Sequence, residues 1–422
     1  MTPKVKKILI IVAYIVTAIF MAFVIYWTFF GDRDGGGEVV NVNGRLVNLG
    51  PDGTLPNINT IDVSNLNYSV NTNQVVSANT NAALPDIADV ATGSLTKTTK
   101  LNDDIAYYST TSIDGSNMYY YDREDGLFYV VSAEDGSLSL LTAQKFHSVE
   151  NVTWSPTKDK AIIEFPDGTK IMYDFRNNKQ YTLPEQYEEV DFAETGREIV
   201  FKYMGEDEDD RFLAIANPDG TGMQVVEQLS DRADSFEADY SPSGQVVGFY
   251  KESTTGESQE VYFIGKYGEN FKSLSVNGKG FESQWSSDGE QLVYSVYNSG
   301  TNYNPTLWLA GAQGESIGEN KINTGLQTWA DKCAISGSTA ICGVPTSLER
   351  GSGPFPELSS SSPDVFYQVD LNSGNSTPLA IPVYGDGTGQ FQVKNIHIDE
   401  SGRYMYFTDG FTGKLHKIQI EY

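Results

Sequence analysis

Basic side chains, cysteine and histidine are all scarce in this chain of 422 residues, and each shortage closes off a class of chemistry. Lys and Arg number 29 against 56 Asp and Glu, a formal net charge of -27. A surface that acidic repels phosphate backbones, so no nucleic-acid partner is expected. Two cysteines, Cys333 and Cys342, rule out a disulfide framework and a four-cysteine zinc site. The three histidines, His147, His397 and His416, stand in no metal-ligand spacing, and no phosphate-cradling or dinucleotide-binding glycine loop occurs. His397 and His416 fall on neighbouring predicted strands, where a hydrogen-bonded structural role accounts for them. No cofactor, no metal and no catalytic residue are expected.

Two local patterns carry a chemical suggestion and are set aside on context. GESIG at 314–318 matches the G-x-S-x-G form of a hydrolase nucleophile elbow, with Ser316 as nucleophile. An elbow needs a buried strand before it and a helix after it, whereas this one sits at a glycine-rich hairpin tip. The acidic run EDEDD at 206–210 lacks the alternating ligands and turn glycine of a calcium loop and reads as a solvated loop.

Residues 8–30 hold no charge, glycine or proline. As a helix they would cover about 34 Å, enough for a bilayer core. Lys4, Lys6 and Lys7 precede the run and Asp32, Arg33 and Asp34 follow it, so the positive-inside rule keeps the N-terminus cytoplasmic and exports the rest. A cleaved signal peptide is the competing reading, but the run is too long and ends in Tyr26, Trp27, Phe29 and Phe30, not in small residues. The expected organisation is a basic tail (1–7), a single transmembrane helix (8–30), a flexible Asn/Thr/Ser/Gly-rich tether (31–95) and one large β domain (96–422). The alternation at 39–47 would allow a local hairpin, but the segment lacks the aromatic content to bury a core of its own, so a mostly disordered tether is expected, with a reach on the order of 45 Å.

The exported part is rich in Gly, Tyr and Phe, as aromatic strands separated by glycine turns require. It also repeats. VTWSP (152–156), VDFAE (190–194), ADYSP (238–242), SQWSS (283–287) and IHIDE (396–400) are each followed by a short turn and an apolar strand, and CAIS (333–336) is a shortened copy. Their aligned residues Trp154, Phe192, Tyr240, Trp285, Ile335 and Ile398 are spaced by 38, 48, 45, 50 and 63, and most of these intervals suit one four-stranded blade. The longest interval contains a Gly, Ser and Pro-rich insertion at 349–363. A further unit fits upstream, with a weak version of the turn at 111–115. The fold class is therefore all-β: a β-propeller of seven blades, with six or eight as the alternatives.

These Trp-Ser-Pro-x-x-Gly-like units resemble the PD40, or TolB-like, repeats of WD40-type β-propellers, over about residues 100 to 422. The blade carrying the two cysteines also resembles those of membrane-anchored bacterial propellers. The resemblance implies a fold and no single activity, since such propellers serve as scaffolds, periplasmic partners and gating domains. The leading expectation is a membrane-anchored, extracytoplasmic module that binds a protein, peptide or cell-wall polymer at the propeller mouth, or an envelope scaffold. The alternative is a propeller-based hydrolase or lyase, or a propeller that gates a separate enzyme.

Two structural details follow. If Gly337 and Ser338 form a tight turn, Cys333 and Cys342 lie directly opposite and are either bridged or a pair of buried thiols. The last unit is one strand short, and 94–99 is expected to supply that strand by pairing with 415–420.

Overall fold

A computed structural model describes residues 39–42, 45–48, 87–254 and 256–420; the run expected to cross the membrane lies outside them, as does most of the expected tether. Among the described residues no helix is long and apolar enough to cross a membrane. Within the stretch read as tether, Val39–Val42 and Arg45–Asn48 pair as an antiparallel hairpin. The residues from 87 onward belong to a separate compact unit.

That unit is a ring of seven antiparallel sheets. From innermost to outermost strand, blade 1 runs from Tyr107–Thr111 to Leu138–Leu140, blade 2 from Asn151–Trp154 to Lys179–Leu183, and blade 3 from Tyr187–Phe192 to Gln224–Gln228. Blade 4 runs from Phe236–Ala238 to Asn270–Val276, blade 5 from Lys279–Trp285 to Ile322–Asn323, and blade 6 from Cys333–Ser336 to Ser376–Val383. Blade 7 contributes Val393–Ile398, Tyr404–Asp409 and Leu415–Ile420. The insertion expected at 349–363 lies between the second and third strands of blade 6, Thr339–Pro345 and Asp364–Asp370.

The two middle strands of each blade carry apolar residues on both faces, so a blade alone would leave one of those faces in water. Each gap between neighbouring blades is filled by a buried cluster. Blade 2 packs on blade 3 through Ile162, Met172, Ile199 and Phe201, and blade 7 on blade 1 through Tyr406, Leu415, Met118 and Tyr120, so the ring is closed.

The repeated motif is a turn whose chemistry is visible atom by atom. After the innermost strand, the amides of Gly115, Lys158, Gly196, Gly244, Gly289 and Gly402 donate three residues back to the carbonyls of Ser112, Ser155, Ala193, Ser241, Ser286 and Asp399. Where that first residue is Ser or Asp, its side chain also accepts an amide five residues on, as from Val246 to Ser241 Oγ at 3.0 Å and from Tyr404 to Asp399 Oδ1 at 2.8 Å. Ser155 and Ser241 are fully buried, so these hydroxyls satisfy backbone donors that water cannot reach. Blade 6 shortens the turn to Gly337 and Ser338, which sets Cys333 opposite Cys342, and the two sulfurs are bonded.

The aligned residues occupy one structural level. Trp154, Phe192, Trp285 and Ile398 end their innermost strands, Ile335 lies one residue from the end of its own, and Tyr240 follows the short first strand of blade 4. The two histidines differ from expectation, because Tyr404–Asp409 lies between their strands. His397 Nε2 lies 3.1 Å from the Ser109 carbonyl, but neither nitrogen of His416 meets a hydrogen-bond partner among the described residues. Phe391, Phe407 and Tyr384 surround that ring instead.

Closure also departs from expectation. Only the end of the 94–99 segment turns toward the last blade: Thr99–Lys100 pairs antiparallel with Lys417 and His416, and Val90–Ala91 pairs parallel with Gln419 and Ile420. Leu95–Lys97 crosses over and pairs parallel with Ile381–Val383, the outer strand of blade 6. The physical cause is Gly93, whose φ of +85° redirects the chain and whose amide donates to Leu379 at 2.7 Å; a Cβ there would meet the Pro378 carbonyl at 3.2 Å. One segment thus covers the edges of two blades. A chain beginning at residue 87 should keep the melting temperature of the longer exported part, whereas one beginning at 101 should melt lower by on the order of 10 °C. Calorimetry on the two chains checks this, and equal values would show that the segment is dispensable for closure.

Candidate functional site

Side chains from several blades meet around the axis of the ring, and their charges are unevenly distributed. The strand-start end carries Glu237 of blade 4, Glu282 of blade 5 and Asp331, in the 3-10 turn Ala330–Lys332 that precedes blade 6. Burial pushes Glu282 up to about 7, with Asp331 and Glu237 adding repulsion, and raises Asp331 despite Lys332 beside it. Both residues are nonetheless exposed by surface area, so the burial is crowding by neighbouring protein and not exclusion from water. Glu237 is neutralised by Lys251 at 2.8 Å, while Glu282 and Asp331 have no ion pair among the described residues.

Further along the axis, acidic groups tie one blade to the next. Asp191 of blade 3 accepts the Tyr240 amide of blade 4 at 2.8 Å, and Asp239 of blade 4 accepts the Trp285 indole N–H of blade 5 at 2.9 Å. Burial raises Asp191 to about 6 and Asp239 well above the usual carboxylate range, and Asp191 adds repulsion to Asp239. His397 of blade 7 makes the corresponding tie to Ser109 of blade 1, and burial lowers it to about 4. These groups each stand one residue before an aligned core position, in VDF, ADY and IHI. Alternation along a strand is the signal that would have singled them out.

A wall rises over the strand-start end. Strands one and two of a blade are antiparallel, so the loops joining strands two and three stand beside the starts of the innermost strands. Ser299 in the blade 5 loop donates through its amide and hydroxyl to Glu257 in the blade 4 loop, at 2.9 and 2.7 Å. The amides of Gly351 and Gly353, in the blade 6 insertion, donate to the carbonyls of Asn302 and Tyr303 at 2.9 and 2.8 Å. The insertion so held leaves Phe355 56% and Leu358 38% exposed.

The other sequence motifs stay apart from this region. Ser316 lies in a 3-10 turn, Gly314–Ser316, between the two outer strands of blade 5, and its hydroxyl donates to the Gln313 carbonyl at 2.7 Å. The run at 206–210 is an exposed loop ending in the 3-10 turn Glu208–Asp210. His147 is exposed on the segment leading into blade 2. Among the described residues no three His, Cys, Asp or Glu side chains are placed to hold a metal ion. A rim cleft of about 420 Å³ between blades 3 and 4 is lined by Arg232, Phe236, Tyr250, Tyr262 and Glu269. Its rings are engaged with one another, at centroid distances of 4.7 and 5.7 Å, and the Arg232 guanidinium lies over Tyr250.

No family model matches the sequence, and no curated protein matches it. Among solved structures, the β-propeller domain of Myceliophteria thermophila Cps50 (Swd1) is similar with a TM-score of 0.50 at 10% identity, over 77% of this chain and 100% of that one. Oligogalacturonate lyase in complex with manganese gives 0.49 at 13% identity, over 77% and 93%. TolB from Acinetobacter baumannii gives 0.41 at 11% identity, over 64% of each chain. At 10% identity the likeness to the first of these shows the β-propeller fold alone.

The axial groups make stability depend on pH in a direction that can be worked out. Carboxyls with raised pKa stabilise the fold fully below their unfolded value, and that contribution is lost as pH rises through about 6 for Asp191 and about 7 for Glu282. His397 and His416, lowered to about 4 from 6.5, act oppositely: their contribution is present above 6.5 and is lost as pH falls through 4. Above pH 6.5 the carboxyls alone titrate among these groups. The melting temperature should therefore fall between pH 6.5 and about pH 8, and Glu282→Gln should flatten that fall. A rising or unchanged profile in the wild type would contradict the assignment.

Proposed function

We propose that this protein is a membrane-anchored, extracytoplasmic interaction module whose propeller receives a protein, peptide or cell-wall polymer at the strand-start mouth. The observation that supports it best is the loop wall of blades 4 to 6, which is held by hydrogen bonds yet presents Phe355 and Leu358 to solvent, at the end of the ring that carries Glu282 and Asp331 without ion pairs among the described residues. An ordered insertion that exposes large apolar side chains suits recognition and has no role in the ring's own packing. The neighbouring carboxyls favour a partner that brings amino or guanidinium groups together with an apolar side chain.

In this reading the protein acts by binding, and Ser316, whose hydroxyl donates to the Gln313 carbonyl, has no part in it. It acts as a receptor or scaffold, held at the cell surface by 8–30 with its N-terminus in the cytoplasm.

Two measurements test the proposal. Protease added to intact cells should degrade the propeller and spare the N-terminal tail; a protected propeller would overturn the topology. The full-length chain with Phe355→Ser, Leu358→Ser and Glu282→Gln should melt within a few degrees of the wild type, yet retain at least tenfold less of any partner that the wild type captures from a detergent-solubilised native envelope. Equal capture by both chains would remove the mouth as the recognition surface.

A further inference from the structure

Six of the seven blades end the turn after the innermost strand on a residue with positive φ. Five place glycine there, Gly115, Gly196, Gly244, Gly289 and Gly402, and blade 2 places Lys158, at φ 55°. That region is one that a residue with a Cβ rarely adopts, and glycine occupies it without steric conflict. Lys158 shares positive φ with nine other non-glycine residues, but it alone occupies the repeat's glycine position, and its side chain makes a contact that glycine could not.

The side chain reaches the axis. Lys158 Nζ donates to Thr110 Oγ1 of blade 1 at 2.9 Å, its charge acts on His397 of blade 7, and Glu194 of blade 3 acts on it in turn. A group of blade 2 that interacts with blades 7, 1 and 3 must stand near the centre of the ring. Thr110 is nearly fully buried and His397 is turned to the Ser109 carbonyl, so neither neutralises the ammonium. Among the described residues no carboxylate lies within ion-pair distance of Lys158, although the chain carries 56 of them. The ammonium has three donors, of which Thr110 takes one, and the side chain keeps partial contact with solvent. Burial lowers its pKa, as an unpaired ammonium held away from water requires.

We infer that Lys158 is an anchor for a carboxylate at the turn end of the axial channel, opposite the acidic mouth. The inference rests on the reading of the propeller as a binding module and adds the chemistry of one ligand group. A single ammonium without a second cation beside it suits a singly charged anion, and Glu194 nearby disfavours a second negative charge in the same place. The ligand is thus a monocarboxylate, as at the end of a peptide, held by the Lys158 ammonium.

The test uses the full-length protein in detergent and acetate as the probe. Mass spectrometry follows acylation of each lysine by an N-hydroxysuccinimide ester in sodium acetate and in sodium chloride of equal ionic strength. Acetate should slow labelling of Lys158 several-fold and leave exposed lysines such as Lys97 and Lys272 unchanged; equal rates at Lys158 would overturn the anchor. Lys158→Gly should melt at or above the wild-type temperature in chloride and should lose the rise in melting temperature that acetate gives the wild type. A clear drop in melting temperature would instead make Lys158 a structural tie to Thr110 and overturn the anchor as well. Partner capture at the acidic mouth without any acetate effect would remove the anchor and leave the module standing, whereas an acetate effect without capture would do the reverse.

Discussion

The short pairings of Val90–Ala91, Leu95–Lys97 and Thr99–Lys100 with the outer strands of blades 6 and 7 are the contacts on which the rest of the molecule depends. Seven sheets with apolar faces are stable only when every face has a neighbour, and a ring provides that only if its last gap is closed. Here closure is entirely non-covalent, and the one disulfide lies within blade 6, where it joins two strands that already pair. The segment before blade 1 therefore holds the ring shut by completing the edge of blade 7 and extending that of blade 6. His416, buried without a hydrogen bond directly opposite Lys100, sits in the same region, so the closing segment covers a part of the core that tolerates no added charge.

Closure also creates the axial site. Asp191, Asp239 and His397 make their ties across blade boundaries, and the His397 contact joins positions 288 apart in sequence. Burial near the axis makes each charge costly, which is why these carboxyls are raised and the histidine lowered. Among the described residues, Glu282 and Asp331 stand without an ion pair at the strand-start end, where Lys394 of blade 7 offsets part of the Asp331 charge, and Lys158 stands without one on the blade 2 turn.

Much of the fold is legible in the sequence because it is written in local chemistry. The Ser-Pro or Asp-containing turns recur because one side chain satisfies a backbone amide five residues away, and that bond needs nothing outside the hairpin. Trp154, Phe192, Tyr240, Trp285, Ile335 and Ile398 could be aligned for the same reason, and the weak turn at 111–115 identified the seventh blade. The insertion at 349–363 was legible as an interruption of the spacing, while its hydrogen bonds to Asn302 and Tyr303 were not.

The sequence by itself determined the all-β architecture, the seven repeats and the hairpin that sets Cys333 opposite Cys342, since each depends on residues within a few positions of one another. Only the tertiary structure decided how 90–100 divides between two blades, because a parallel pairing with strands about 300 residues away leaves no trace in local alternation. It also decided which acids stand unpaired and that Lys158 reaches the axis. Charge pairing is a property of distance in space, and in a propeller the residues around the axis become neighbours only when the ring is closed.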